Sequence, residues 1–149
     1  MVTQVEFLLL ESSSQWTVCA LDSLTKLYQQ YERVLVLASQ RKHLEQLDEL
    51  LWHRSSEHFV AYSMDDQCYA GSSSVLLTDV EPLRLRFNAL LNLSDKATAN
   101  PEQFRSITEI VQVAEQSKDL ARERYKLYRH LGFNISHRTI IPVPPIIIW

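Results

Sequence analysis

The run VLVLA, residues 34–38, decides the fold class of this chain. It is short and continuously apolar, which is typical of a strand covered on both faces, as in a parallel sheet. An earlier run, VEFLLL at residues 5–10, has nearly the same character. Between them, residues 16–32 repeat apolar side chains at spacings of three and four: Val18, Leu21, Leu24, Tyr28 and Tyr31. Because this spacing forms one apolar stripe on a helix, the segment predicts a strand, a crossover helix and a second strand.

The same alternation continues toward the C-terminus. Residues 41–53 predict a second crossover helix with one apolar stripe, which consists of Leu44, Leu47 and Leu51. Further strands are predicted at 59–62, 75–80, 85–93 and 107–113, in an order that the sequence leaves open. The strand at 107–113 alternates apolar and polar residues and is predicted to have one wet face. A short helical turn is expected at Pro101 to Phe104. We therefore expect an α/β domain whose mostly parallel sheet is flanked by helices.

Length and composition fit a single domain. The 149 residues are 46% apolar, enough for a substantial core. We expect a domain at 1–139 and an apolar, proline-containing tail at 140–149, which either packs on its own domain or offers an extended segment to a partner. Cys19 and Cys68 form no C-x-x-C motif, and the chain shows no secretory signal and no apolar run of about 20 residues. A protein of the reducing cytoplasm is expected.

The sequence lacks the motifs of catalysis and cofactor binding. Its only glycines are Gly71 and Gly132, which excludes a G-x-G-x-x-G turn and a P-loop. The five histidines lack H-E-x-x-H spacing and pair with no cysteine at zinc-finger distance. The serine clusters lack a G-x-S-x-G elbow, and Asp65 and Asp66 are interpreted as solvated loop residues. No enzyme activity, cofactor or metal is therefore expected.

Positive charge is concentrated near the C-terminus. Residues 118–138 hold six Lys or Arg against two acids, although the whole chain has a net charge of −3. Ser117 is a candidate N-cap and Gly132 can supply the left-handed residue that ends a helix, so a helix is predicted between them. At about 100° per residue, five side chains share one stripe of this helix: Lys118, Arg122, Tyr125, Lys126 and Arg129.

The opposite side of this helix is predicted to be its buried face. Leu120, Leu127 and Leu131 lie there, at roughly 180° to 220° from Lys118. Arg124, at roughly 240°, departs from the division. Its aliphatic stem is expected to follow the apolar face, and it is not counted in the site.

The basic stripe has two interpretations. Charge runs on helices are usually an ordinary solvated face. Only Asp119 and Glu123 are interspersed here, however, so repulsion between like charges favours an external anion. The ring of Tyr125 beside guanidinium groups suits a peptide that ends in an apolar side chain and a carboxylate. Nucleic-acid phosphate is the competing ligand, with Tyr125 as a stacking platform for single strands.

The motif L-A-R-E-R-Y-K-x-Y-R-x-x-G-F-N, residues 120–134, resembles the chi subunit family of bacterial DNA polymerase III holoenzyme, an accessory protein of the clamp loader. L-D-E-x-L-W at 47–52 and R-V-L-V-L at 33–37 follow the same family in order and spacing. The resemblance covers nearly the whole chain. It implies a single Rossmann-like domain without a nucleotide-binding loop, and an accessory subunit without catalysis or cofactor.

The resemblance also implies two partner surfaces. Members of the family bind the acidic C-terminal tail of single-stranded DNA-binding protein, whose last residue is a phenylalanine. By position this pocket consists of Lys118, Arg122, Tyr125, Lys126 and Arg129, with Arg122 as the partner of the terminal carboxylate. A second surface binds the psi subunit, or a helicase-like partner instead, and Trp52 and Phe59 match its aromatic positions. The alternative is that both aromatics simply cap the core of the sheet. No residue is carried over from 112–117, which should wall the pocket.

The expected function is a non-catalytic adaptor. It would link the clamp-loader complex, through psi, to the tail of single-stranded DNA-binding protein, with mostly indirect contact to DNA and none to membrane. The alternative is a module that binds single-stranded nucleic acid directly through the same basic helix.

Overall fold

The computed structural model describes residues 2–31, 33–53, 61–64, 75–82 and 86–140. Within these ranges the chain forms, in order, β1 (Gln4–Leu10), α1 (Trp16–Tyr31), β2 (Val34–Leu37), α2 (Arg41–Trp52), β3 (Tyr62–Met64), β4 (Val75–Thr78), β5 (Ala89–Asn92), β6 (Ser106–Val111), α3 (Glu115–His130) and β7 (Asn134–Ile140). The predicted helical turn is a 3₁₀ turn at Pro101–Gln103.

The strands form one parallel sheet in the order β3-β4-β2-β5-β6-β1-β7. β2 pairs on both sides, with Val34 opposite Val75 of β4 and Ala89 of β5. Parallel strands need crossover connections, and α1, α2 and α3 form those that follow β1, β2 and β6. The predicted α/β domain with a parallel sheet flanked by helices is confirmed.

Each face of the sheet carries an apolar core. On one face, Leu24 of α1 and Leu44 of α2 belong to the same buried cluster as Val36. On the other face, Tyr128 of α3 belongs to a cluster with Leu35. Successive residues of β2 point to opposite cores, which explains why the run at 34–38 is continuously apolar.

The predicted helix stripes are confirmed for α2 and partly wrong for α1. Leu44, Leu47 and Leu51 are buried as expected. Val18, by contrast, is 71% exposed. The inward face of α1 includes the smaller residues Cys19 and Ala20 instead. The buried stripe of α1 therefore differs from the predicted one, although Leu24 belongs to both.

The wet face predicted for the strand at 107–113 is wrong. Thr108 and Glu109 are both buried, because β6 lies between β5 and β1 and has a covered core on each face. The strand β7 was not predicted at all. Its residues are mostly polar and exposed, since it pairs only with β1 among the strands that the structure describes.

The C-terminal end of α3 follows the prediction and its N-terminal end does not. Gly132 has φ +80°, and the amides of Gly132 and Phe133 donate to the carbonyls of Arg129 and Tyr128, both at 3.1 Å. This is a Schellman motif, which satisfies carbonyls at the helix end. Ser117 is not the N-cap, because the helix begins earlier, at Glu115, with Ala114 in the cap position.

Several predicted features lie outside the described residues. They are Phe59, Asp65, Asp66, Cys68 and the tail from residue 141 onward. In the ranges given above, no helix is both long and apolar enough to span a bilayer.

Candidate functional site

α3 turns a different face to the sheet from the one its leucines predicted. Its buried residues are Ala121, Arg124 and Tyr128. Leu127 is 39% exposed, and Leu120 and Leu131 are only half-buried. Counted from Lys118, the buried residues lie at roughly 240° to 300°, so the helix is turned by about 70° from the predicted orientation.

The orientation of α3 follows from a buried carboxylate on β6, Glu109, which has no exposed surface. Arg124 donates from Nε to Glu109 Oε1 at 2.9 Å, and the Tyr128 hydroxyl donates to Oε2 at 2.5 Å. Asn92 donates its amide to both oxygens, at 3.0 and 3.1 Å. A buried carboxylate without donors is costly, so the helix turns Arg124 and Tyr128 inward in preference to its leucines. The expectation that Arg124 only lays its stem along the core is wrong.

This buried cluster, defined as Asn92, Glu109, Arg124 and Tyr128, also fixes the loop after β5. Arg124 donates from Nη1 to the carbonyl of Asp95 at 2.9 Å. Asn92 donates to the carbonyl of Lys96 at 2.8 Å. The cluster therefore joins β5, β6, α3 and the loop at 93–96.

The ionisation of the buried cluster is set by opposing effects. Burial raises the pKa of Glu109 above its ordinary value, and this effect outweighs the lowering by the charge of Arg124 and by hydrogen bonds from Tyr128, Asn92 and Arg124. Burial, followed by the charge of Glu109 and the hydrogen bond to it, raises the pKa of Tyr128. The four contacts to Glu109 described above all come from donors, so they favour the ionised carboxylate and offset part of the cost of its burial.

A cleft of about 730 Å³ lies between α3 and the carboxyl ends of β1, β6 and β7. Its floor is largely apolar and includes Phe7, Leu9, Val111 and Val113. Its α3 wall consists of Lys118, Ala121, Arg122 and Tyr125. The cleft therefore places two cations above an apolar floor, an arrangement that can hold an apolar group and an anion together.

Tyr125 connects the wall of this cleft to its floor. Its ring lies 6.0 Å from that of Phe7, centroid to centroid, at an interplanar angle of 52°. The ring is 39% exposed, so part of it faces the solvent. The arrangement is within the usual range for a stabilising aromatic pair.

The cations of α3 have more acidic neighbours than the sequence predicted. Three ion pairs join acids to cations three positions later: Glu115–Lys118 at 3.7 Å, Asp119–Arg122 at 2.5 Å and Glu123–Lys126 at 3.3 Å. Glu115 was missed because the helix starts before Ser117. These pairs are exposed, and exposed pairs contribute little free energy, so a carboxylate from a partner can replace the acid.

The structure brings three of the five predicted stripe residues into the cleft. Lys118, Arg122 and Tyr125 line it. Lys126 and Arg129 are exposed on the same helix and lie outside the cleft lining.

Sequence reasoning expected residues 112–117 to wall the pocket without assigning any of them, and it missed the other strand residues of this cleft. Glu11, Gln112, His137 and Thr139 line it together with the apolar floor. His137 and Thr139 lie opposite Phe7 and Leu9 in the pairing of β7 with β1. His137 and Thr139 were missed because β7 was not predicted as a strand. The position of Gln112 and Val113 directly after a strand was the signal that could have identified the other side.

The second predicted surface lies on the opposite face of the sheet. Trp52, the last residue of α2, is 77% exposed and so does not cap the core. Leu50 is also exposed and lines a shallow groove of about 280 Å³ with Thr17 of α1. In the part of the chain that the structure describes, no group of three His, Cys, Asp or Glu side chains could hold a metal.

Comparison with protein families decides the identity of the chain. Residues 2–136 match the family described as DNA polymerase III chi subunit, HolC. The chain belongs to this family. As a chi-family protein it is an accessory subunit of the DNA polymerase III holoenzyme and acts in DNA replication.

Two curated relatives are chi subunits of DNA polymerase III. The protein of Escherichia coli K12 is 31% identical over 109 residues, which are 72% of this chain and 74% of the relative. The protein of Haemophilus influenzae is 24% identical over 143 residues, which are 94% of this chain and 99% of the relative.

Solved structures with a similar fold include the C-terminal domain of the DEAD-box protein Dbp5. That domain superposes with a TM-score of 0.63 at 12% identity, over 93% of this chain and 91% of the domain. A Dbp5 C-terminal domain from S. cerevisiae bound to Gle1 and IP6 gives a TM-score of 0.62 at 15% identity, over 93% of this chain and 90% of that one. At these identities the similarity concerns the fold alone.

Proposed function

We propose that this chi-family protein is a non-catalytic adaptor whose cleft beside α3 binds the acidic C-terminal tail of single-stranded DNA-binding protein. The observation that supports this most is the position of Lys118 and Arg122 above an apolar floor in one cleft. A peptide that ends in phenylalanine offers the two matching groups, an aromatic side chain and a carboxylate. Recruitment of the polymerase to coated template would follow from this contact.

Arg122 is the proposed partner of the terminal carboxylate. A guanidinium can hold both carboxylate oxygens with parallel hydrogen bonds, which a lysine cannot do. The terminal phenyl ring would lie on the apolar floor beside Phe7 and Tyr125. Glu11, on the opposite side of the cleft, repels acidic groups and would direct the carboxylate toward α3.

Lys126 and Arg129 have a different part in this proposal. They lie on α3 beyond the cleft, so they would meet acidic residues that precede the terminal phenylalanine. Such contacts are exposed and are screened over about 10 Å at 0.1 M salt. Their effect on affinity is expected to be small and to disappear at high salt.

Direct binding of single-stranded nucleic acid is the competing function for the same helix. Acids accompany three of the α3 cations on the outer surface, which weakens the unbroken positive row that a phosphate backbone prefers. Phe7 contacts the ring of Tyr125, and this restricts its use as a stacking platform. These features favour the peptide.

The proposed binding site for psi is the surface around Trp52, the last residue of the family motif at 47–52. An exposed tryptophan is a typical interface anchor. Phe59, the other aromatic expected there, lies outside the described residues. A helicase-like protein at this surface is the alternative partner.

A fluorescent peptide with the sequence of the acidic tail, titrated with the protein, tests the first proposal. Arg122→Ala is expected to weaken binding about tenfold, the loss of one charge-assisted contact. The control is Lys26→Ala, which removes the same charge from exposed α1 on the opposite face. Equal affinity of wild type and Arg122→Ala would refute the assignment. Anisotropy of a labelled oligonucleotide without partner protein decides whether nucleic acid is the ligand instead.

Co-purification with psi tests the second surface. Trp52→Ala is expected to abolish recovery of psi while leaving tail-peptide affinity unchanged. Val18→Ala, which alters another exposed apolar residue on the α1–α2 face, serves as the control. Recovery of psi by Trp52→Ala at the wild-type level would remove this surface from the proposal.

A further inference from the structure

The buried cluster of Asn92, Glu109, Arg124 and Tyr128 lies outside the cleft, and stability alone does not account for it. Replacing a buried ion pair by apolar residues of similar volume often leaves stability unchanged or raises it. Arg124, the arginine of the buried ion pair with Glu109, belongs to the basic motif of α3, yet it is only 4% exposed. Its contacts are directed to Glu109 and to the carbonyl of Asp95.

α3 has a second way to pack, which its own leucines favour. Leu120, Leu127 and Leu131 form an apolar stripe about 70° away from the face that is buried. Leu127 is 39% exposed in the observed orientation, so burying that stripe would take leucine surface out of water. The helix therefore needs a specific interaction that opposes this rotation.

We propose that the Glu109–Arg124–Tyr128 contacts set the rotation of α3 about its axis and thereby position Lys118, Arg122 and Tyr125 in the cleft. These three buried residues are positioning residues for partner binding, and the inference rests on the proposed function for its binding readout. In this view Arg124 acts by orienting its neighbours on α3 and does not contact the bound peptide.

The geometry allows only one rotation to satisfy the buried carboxylate. Both oxygens of Glu109 accept from α3, one from Arg124 and one from Tyr128, which are four residues apart on the same face. Rotation toward the leucine stripe would withdraw both donors and leave a fully buried carboxylate with Asn92 as its remaining donor. That penalty opposes the gain from burying the three leucines.

The position of the cleft residues depends on the same rotation. Tyr125 precedes Tyr128 by three residues, and both rings contact Phe7, at 6.0 and 6.1 Å between centroids. Rotation about the helix axis would separate Tyr125 from Phe7 and carry Arg122 out of the cleft. The Phe7–Tyr125 contact is therefore a direct measure of the helix orientation.

The test is a triple variant, Glu109→Leu with Arg124→Met and Tyr128→Phe, which removes the polar groups and keeps the volume. We expect it to melt within about 5 °C of wild type. We also expect loss of the nuclear Overhauser contact between the Phe7 and Tyr125 rings, and tail-peptide affinity about tenfold weaker. A merely structural role would leave the last two readouts unchanged in a folded variant.

Arg124→Lys provides the second variant if the triple variant does not fold. Lysine keeps the charge beside Glu109 but cannot also reach the Asp95 carbonyl, so a partial loss of both readouts is expected. A folded variant of either kind with the wild-type ring contact and wild-type affinity would overturn the inference. If wild type itself fails to bind the peptide, the proposed function fails, while the ring contact still decides whether the cluster orients α3.

Discussion

Phe7 of β1 and Tyr125 of α3 pack with their ring centroids 6.0 Å apart, and this pair joins the floor of the cleft to its cationic wall. Phe7 is buried and also contacts Tyr128, so the same ring supports the core and the cleft. The two functions can be separated by choosing which member of the pair is changed.

Phe7→Ala is expected to lower the free energy of unfolding by about 3–5 kcal/mol, because it removes a buried aromatic ring and leaves a cavity. Chemical denaturation measures this loss. Tyr125→Phe is the matched control, since it keeps the ring and removes only a hydroxyl from a partly exposed residue. It is expected to change stability by less than about 0.5 kcal/mol. A similar loss in both variants would contradict the buried role of Phe7.

A pair of leucine variants checks the orientation of α3. Leu47→Ala in α2 removes a fully buried side chain and is expected to cost about 2–5 kcal/mol. Leu127→Ala removes a side chain that is partly exposed and is expected to cost less than about 1 kcal/mol. Urea unfolding of both proteins gives the comparison. Equal losses would mean that the leucine stripe is buried after all.

Gly132→Ala is expected to destabilise the protein by about 1 kcal/mol or more, because φ is +80° at this position and an L-residue is strained there. A Cβ added to Gly132 meets nothing within 4 Å, so the cost is one of backbone conformation rather than of crowding. Gly132→Asn, which tolerates the left-handed region better, should lose less. Thermal unfolding that ranks Asn below Ala would be inconsistent with this account.

The stability of the fold is expected to depend on His43 in weakly acidic solution. Its ring stacks on Trp16 at 4.5 Å, and in the ranges that the structure describes its buried Nδ1 has no hydrogen-bond partner. Burial, followed by the charge of Lys42, lowers the pKa of His43 below the ordinary value of 6.5. The unfolded chain therefore binds a proton more readily, so stability falls as the pH drops from 6.5 through the lowered folded pKa.

His43→Phe tests this dependence, because phenylalanine keeps a ring against Trp16 and does not titrate. Urea midpoints measured from about pH 7.5 to about pH 5 should fall less steeply for the variant than for wild type. Parallel curves for the two proteins would show that another group causes the acid sensitivity.

The sequence predicted the fold well wherever burial is continuous. The apolar runs of β1 and β2 could be recognised from residue type because both faces of these strands are covered. The stripe of α2 could be recognised because one face of the helix is covered. β7 lacked any such signal, since an edge strand whose partner lies on one side keeps polar residues on its exposed surfaces. Its pairing with β1 is a tertiary event, and no local pattern encodes it.

The candidate site was predicted on its helix and missed on its strands. The cationic stripe could be found from spacing alone, whereas the direction in which α3 faces depends on Glu109, fifteen residues before Arg124. The sequence pattern predicted one wet face for the strand at 107–113 and did not identify Glu109 as a buried carboxylate. Only the sheet order, which places β6 between two strands, reveals that this carboxylate is buried and needs partners.

The position of β1 in the sheet has a consequence for synthesis of the protein. Gln4 pairs with Ser106 on one side and with Asn134 on the other, so the first strand completes its hydrogen bonds only with partners more than a hundred residues later. Closing so long a loop is slow, because the chain loses conformational entropy before the strand contacts can stabilise it. During translation the first strand therefore lacks both neighbours until β6 has left the ribosome and lacks one of them until β7 follows, so the cleft is among the last features of the nascent chain to form.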